Sequence, residues 1–175
     1  MAQAQENKPK EQQLVVFSIK NEEFGVDITQ VKEIVKLLEI TYVPKAPSFI
    51  EGVINLRGQI AAIVDLAKRL GFEPSPRGEA TRIIVVEIGN NLVGMIVDSV
   101  SEVLKIASAN IDEVPTLIET EVPEHYIRGV GKLANKLLIL LDLDKVLSPE
   151  ETMHVEQHIK NIGQDIEKKN NPDQR

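Results

Sequence analysis

Four aspartates, Asp27, Asp65, Asp98 and Asp142, are the first candidates for carboxylate chemistry in this 175-residue chain. Asp65 and Asp142 each stand just before a short apolar run, Leu66 to Leu70 and Leu143 to Leu147, where a side-chain oxygen would cap a helical turn. Asp98 follows a β-rich hairpin in the place that Thr29 holds earlier, and both are capping residue types. Capping accounts for three of the four. His154 and His158 lie one helical turn apart, as a metal pair would. No third ligand is near them, and Glu156 falls one place later than a zincin helix requires, so a solvated helix face explains the pair. His125 has no cysteine and no paired acid at a recognisable spacing. Gly89-Asn90-Asn91 and Gly129-Val130-Gly131 fall inside hairpin patterns, where turn or bulge duty suffices, and no phosphate loop occurs. No nucleophile has an activating partner. The residues give no catalytic site, no cofactor and no metal.

The elements that carry these residues come in two copies. Val15 to Leu37 aligns without a gap on Ile84 to Ile106, and Ile50 to Leu70 aligns on Ile127 to Leu147. The unit is about 75 residues long. A position alike in both copies is needed by the fold; one that differs is free for function. Arg57 is the informative difference, because its counterpart is Ala134 and the turn forms without arginine there. A guanidinium at a tight turn offers five donors in a fixed fork, suited to a partner's carboxylate or carbonyls. The plainer reading is a solvated arginine with a local ion pair. Val31 and Ile34, with Val100 and Val103, are candidates for the seam where the copies meet; core packing is the alternative for each.

Stepping along the chain, 1–13 is polar and reads as disordered. Leu14 to Lys20 and Glu23 to Ile28 form a hairpin around Lys20-Asn21-Glu22, matched by Arg82–Ile88 and Leu92–Val97 around Gly89-Asn90-Asn91. Val31, Ile34, Val35 and Leu38 recur at helical spacing, which predicts one or two helical turns capped by Thr29, or by Asp98 in the second copy. Thr41 to Pro47 must be extended. A further hairpin turns at Arg57-Gly58, and its twin turns at Ala134-Asn135; Gly58 and Asn135 both tolerate positive φ. Glu73 to Ala80 is the linker. Ser148, Pro149 and Glu151 mark the start of a long helix over 148–169, with Val155, Ile159, Ile162 and Ile166 as its apolar stripe. Residues 170–175 are tail.

Strands at short intervals predict a mainly β protein of two small, highly curved barrels in one domain, 14–147. The lobes are expected at about 14–72 and 81–147, with strands possibly exchanged between them, followed by the C-terminal helix. A single unit is marginal alone and gains by packing on its twin. The net charge of −7 argues against nucleic acid and anionic membrane surfaces. The absence of cysteine fits a reducing cytosol. No signal peptide or membrane-spanning run is legible, so the expected setting is the cytoplasm.

The run Phe49-Ile50-Glu51-Gly52-Val53-Ile54-Asn55-Leu56-Arg57-Gly58, followed by Val64-Asp65-Leu66, resembles the CheW family of bacterial chemotaxis coupling proteins. So do Phe24-Gly25-Val26-Asp27-Ile28 with Val31-Lys32-Glu33-Ile34, the Val93-Gly94…Val97-Asp98 segment, and Leu138-Ile139-Leu140-Leu141. The likeness covers about Leu14 to Leu147. It implies two SH3-like five-stranded barrels and no enzymatic activity. It also implies an adaptor that bridges the cytoplasmic tip of methyl-accepting chemotaxis receptors to the regulatory domain of the histidine kinase CheA. Receptor contacts are implied near Val31, Glu33 and Arg57, in a groove between the lobes; with the seam residues this gives a candidate set of Val31, Glu33, Ile34, Arg57, Val100 and Val103. The kinase is expected chiefly on the second lobe. A barrel module for an unrelated partner, and an enzyme using the acidic residues, are the alternatives.

Overall fold

A computed structural model describes residues 10–113 and 124–170, the side chains of 124, 158 and 163–170 excepted. In chain order the elements are β1 (Glu11–Ile19), β2 (Glu22–Asp27), β3 (Val31–Lys36), β4 (Ile50–Leu56), β5 (Gln59–Asp65), α1 (Leu66–Arg69), β6 (Arg82–Ile88), β7 (Asn91–Val97), β8 (Ser99–Ala107), β9 (Ile111–Asp112), β10 (Ile127–Lys132), β11 (Leu137–Leu141) and α2 (Pro149–Asn170). Strand β1 starts inside the segment read as disordered.

The strands form two sheets, ordered β8-β1-β2-β11-β10-β9 and β3-β6-β7-β5-β4. Replacing each strand of the first order by its repeat partner gives the second: β3 for β8, β6 for β1, β7 for β2, β5 for β11 and β4 for β10. The short β9 beside Val130 even has a counterpart, the single bridge of Thr41 to Val53. In both sheets two hairpins meet through a parallel pair, β2 beside β11 and β7 beside β5. Neither sheet is a contiguous half of the chain. Strand β3 leaves the first hairpin to pair with β6, and β8 leaves the second to pair with β1. The barrels expected from sequence are seen as two sheets, with no pairing between the ends of either order among the described residues.

Val31 to Lys36 is a strand, where helical turns were predicted. The cause of the helix-like spacing is a bulge. Val31 pairs with Val86 and Glu33 with Val85, so Lys32 is the extra residue. One extra residue turns the strand's two-residue period into three. Val31 and Ile34 therefore face one core together, while Val35 faces another. The same slip recurs at Ser101 of β8, between Val100 opposite Phe17 and Glu102 opposite Val16.

The caps were also partly misassigned. Asp27, not Thr29, caps the 3-10 turn before β3, accepting from the Thr29 N–H at 2.9 Å. Asp98 caps nothing: it accepts from the Lys20 N–H at 2.8 Å and the Ser75 hydroxyl at 2.9 Å. Asp65 and Asp142 do cap, accepting from the N–H groups of Lys68 and Asp144. Thr41 to Pro47 is not extended throughout, since a turn closes between Val43 and Ala46 with Lys45 at φ 65°. Asn135 is not among the left-handed residues, whereas Arg57 (φ 51°) and Gly58 (φ 87°) both are.

Gly52 and Gly129 show why some positions match in both copies. A Cβ at Gly52 would lie 2.4 Å from the Thr41 carbonyl oxygen, and one at Gly129 would lie 2.7 Å from that of Asp112. Each glycine admits the crossing chain that edges its sheet.

Three cores result. Ile54, Ile63, Ile83 and Val85 fill the five-stranded side, and Leu14, Val16, Leu138 and Leu140 the six-stranded side. The largest lies between the sheets and draws on both: Phe17, Phe24 and Val26 meet Val64, Ile84, Val86 and Met95. Strands β1 and β6 are buried on both faces.

Candidate functional site

The acidic residues are not gathered into a site. Each is engaged locally, and among the described residues no cluster of three or more metal-ligating side chains occurs. Asp27 accepts from Arg128 at 2.9 Å. Burial alone would raise its pKa, but hydrogen bonds from Thr29 and Arg128 outweigh that and hold it below the ordinary carboxylate value. Asp65 moves the other way, because burial pushes it up more than the Lys68 N–H draws it down. Asp142 accepts from the Gln30 amide at 2.8 Å. His154 is exposed on α2, the side chain of His158 lies outside the described residues, and exposed His125 packs against Tyr126.

Arg57 and Glu33 form a built feature. The arginine occupies the first position of the β4–β5 turn with left-handed backbone, a region that costs a branched-off side chain about 1–3 kcal/mol. Asn55 braces that turn by accepting the Gly58 N–H at 2.7 Å. The Arg57 guanidinium reaches across to β3 and donates to Glu33 at 2.5 Å. Its side chain is 76% exposed and that of Glu33 only 21%. Such an open pair contributes at most about 1 kcal/mol to stability. It does orient a fork of donors outward.

Strand β3 is an outermost strand of its sheet, bonded among the described residues to β6 alone. Val31 and Ile34 pack partly into the shared core, and Arg57, from the β4–β5 turn at the other end of the sheet order, meets β3 at Glu33. Val100 and Val103 lie on β8, the outermost strand of the other sheet, and β3 and β8 are not extensively packed on each other. Val100 packs on the shared core as Val31 does. Val103, the counterpart of half-buried Ile34, is 51% exposed.

Two open clefts flank β3 and meet at Lys32, whose ammonium lies 3.6 Å from Glu87. One, of about 620 Å³, spans both sheets and is lined by Asp27, Gln30, Val31, Arg128 and Asp144. The Asp144 carboxyl there is pushed up by burial and by neighbouring Asp142. The other, of about 360 Å³, runs past Gly58, Gln59 and Ile60 to Ile159 of α2. Together they make a groove along β3, which Arg57 borders through its neighbour Gly58 without lining either cleft itself.

A clamp at Arg69 was missed by the sequence reading. Its guanidinium donates to both carboxylate oxygens of Glu151, at 2.9 and 2.8 Å, and to the Val146 carbonyl at 2.7 Å. It also lies over the Phe49 ring. Glu151 in turn accepts the Ser148 N–H while its own N–H donates to the Ser148 hydroxyl, the reciprocal capping box expected at the start of α2. A signal existed: the repeat partner of Arg69 is Val146, a difference as large as that between Arg57 and Ala134.

Residues 13–151 match the model of the CheW-like domain. Among curated relatives, the chemotaxis protein CheW of Klebsiella aerogenes is 39% identical over 80% of this chain and 84% of its own length. That of Bacillus subtilis is 33% identical over 81% of this chain and 90% of its own. The crystal structure of a CheW scaffolding protein from Thermoanaerobacter tengcongensis superposes with a TM-score of 0.72 at 38% identity, covering 81% of this chain and 91% of that one.

Proposed function

The chain belongs to the CheW family, and from that premise we propose that it is a non-catalytic, cytoplasmic adaptor that couples methyl-accepting chemotaxis receptors to the histidine kinase CheA. In this reading each sheet curls into an SH3-like five-stranded barrel, and membrane receptor arrays recruit the protein only through its partners. Val31, Glu33, Ile34 and Arg57 contact the receptor tip, with Val100 and Val103 as the corresponding strip on the other sheet. The regulatory domain of the kinase docks on the second lobe.

The observation that carries the reading is the Arg57–Glu33 pair. A strained backbone holds an exposed guanidinium against Glu33 of an outermost strand, and this arrangement gives the fold little in return. Apolar contacts supply most of the affinity in such a surface, while the charges set register and partner choice. The adaptor changes kinase output only if it binds the kinase's active and inactive arrangements with unequal affinity, in step with the receptor. A rigid body with one shared core transmits such a difference; two loosely tethered lobes would not.

The test mixes the purified chain with a receptor cytoplasmic fragment and the kinase, and reads co-sedimentation and autophosphorylation. Ternary assembly with altered phosphorylation is expected. If the chain binds neither partner at micromolar concentration, the reading is wrong.

A further inference from the structure

We propose that α2 is the second wall of the receptor groove, so that Ile159 and the helix that carries it help determine which receptor tip is held. This rests on the receptor reading given above. The helix starts at the Arg69–Glu151 clamp and passes the β6–β7 turn, where Thr152 lies within 3.8 Å of the place a Cβ on Gly89 would take. Val155 is buried in the shared core, and Ile159 packs against that core and lines the cleft. Facing Ile159 across the cleft are Gly58, Gln59 and Ile60, the residues that directly follow Arg57. Lys32 and Glu87 also line this cleft, and Lys32 lies on β3 between Val31 and Glu33. The surface carrying Arg57 is therefore continuous with a cleft that α2 completes.

The other sheet shows what the helix changes. The repeat partner of Ile60 is Leu137, and Leu137 is 65% exposed. After α1 the chain runs Phe72 against Phe24 and offers the Pro74 carbonyl to Lys20, then turns back to feed β6. It thus covers the inner part of the six-stranded sheet and leaves Leu137 open. After Leu143 to Lys145 the chain instead continues as α2 and reaches Ile60. Two sheets of like strand order so present different surfaces, and among the described residues only the one bearing Arg57 has a helical wall. Most of α2 also lies beyond the matched family region, which ends at Glu151. The occupant this cleft fits is the helical hairpin of a receptor tip, presenting one apolar side chain to Ile60 and Ile159. Polar groups flanking that side chain would meet the Lys32–Glu87 pair and the amides of Gln59, Asn90 and Asn91.

The test compares the full chain with Ile159→Gln, a chain ending at Gln157, and Arg57→Ala. Each is titrated with a receptor cytoplasmic fragment, and its melting temperature is recorded. Ile159→Gln and the shortened chain are expected to weaken receptor binding at least fivefold, with kinase binding unchanged. Unchanged or tighter receptor binding in Ile159→Gln overturns the proposal, and that variant decides should the shortened chain not fold. Loss in Arg57→Ala but not in Ile159→Gln removes the helical wall alone. A full chain that fails to bind the receptor fragment removes the adaptor reading itself.

Discussion

At the scale of single residues, Arg57 combines a backbone strain with an exposed charge, and the two can be separated. Arg57→Ala removes the guanidinium and keeps a Cβ in the left-handed region. Its expected effect is a nearly unchanged melting temperature, because the open ion pair contributes at most about 1 kcal/mol, with receptor binding weakened at least tenfold. Arg57→Gly also removes the strain and is expected to be more stable than the parent by about 1 kcal/mol, with the same loss of binding. Thermal melts beside receptor titration check both; an Arg57→Ala chain that unfolds would make the residue structural. The difference from Ala134 singled this arginine out in the sequence, and the structure shows it exposed with a local ion pair to Glu33. The same rule applied to Arg69, whose partner is Val146, would have misled. Arg69 differs between copies because α2 follows only the second, and its guanidinium seats that helix on Glu151. A residue unlike its twin serves whatever its own copy has that the other lacks, and that can be a helix as well as a partner.

Among the elements, β3 and β8 were hidden and the hairpins and α2 were not. A hairpin declares itself by turn residues and alternation within a few positions, as Lys20-Asn21 (φ 52° and 65°) and Gly89 (φ 62°) do here. A capping box is equally local. A bulge is not, because Lys32 and Ser101 become extra residues only when β6 and β1 lie alongside them. The apolar spacing around each bulge then mimics a helix. The start of α2 also carries a pH dependence. Burial alone would raise the Glu151 pKa, but the Ser148 N–H and the Arg69 guanidinium outweigh it and hold the carboxyl below its ordinary value of 4.5. The unfolded chain therefore binds the proton more readily than the folded one. The stabilisation is complete above about pH 4.5 and is lost as pH falls through the lowered value. Glu151→Gln is expected to melt lower than the parent at pH 7, with the gap narrowing as pH falls below 4.5. A gap that stays constant between pH 7 and pH 3 would show that the carboxylate charge has no part in seating the helix.

For the whole molecule, the doubling was legible but the way the copies share strands was not. Sequence similarity pairs β1 with β6 and β5 with β11; it says nothing about which hairpins sit side by side. Physics of size gave part of the answer, since a unit of about 75 residues buries too little apolar surface to stand alone. The structure goes further, because each sheet draws strands from both halves of the chain. In a piece ending at Gly78, the β1–β2 hairpin would lack β8 and its parallel neighbour β11. The β4–β5 hairpin would lack β7, and β3 would lack its partner β6. Phe17, Phe24 and Val64, all fully buried, would lose the Ile84, Val86 and Met95 side of the shared core. Residues 1–78 expressed alone are therefore expected to give the circular dichroism of an unfolded chain and no cooperative melting. Mixing them with residues 79–175 is expected to restore the β signal and one melting transition, because every missing ladder comes from the complementary piece. If residues 1–78 instead melt cooperatively as a monomer, the first copy folds by itself and the exchange of β3 and β8 is not what binds the lobes. The same exchange would make the adaptor rigid: a partner that moves β3 pulls on β6, and through β7 and the shared core on the other sheet. Weakening Arg57–Glu33 contact and weakening the lobe junction are then distinguishable, since only the second should lower receptor and kinase binding together.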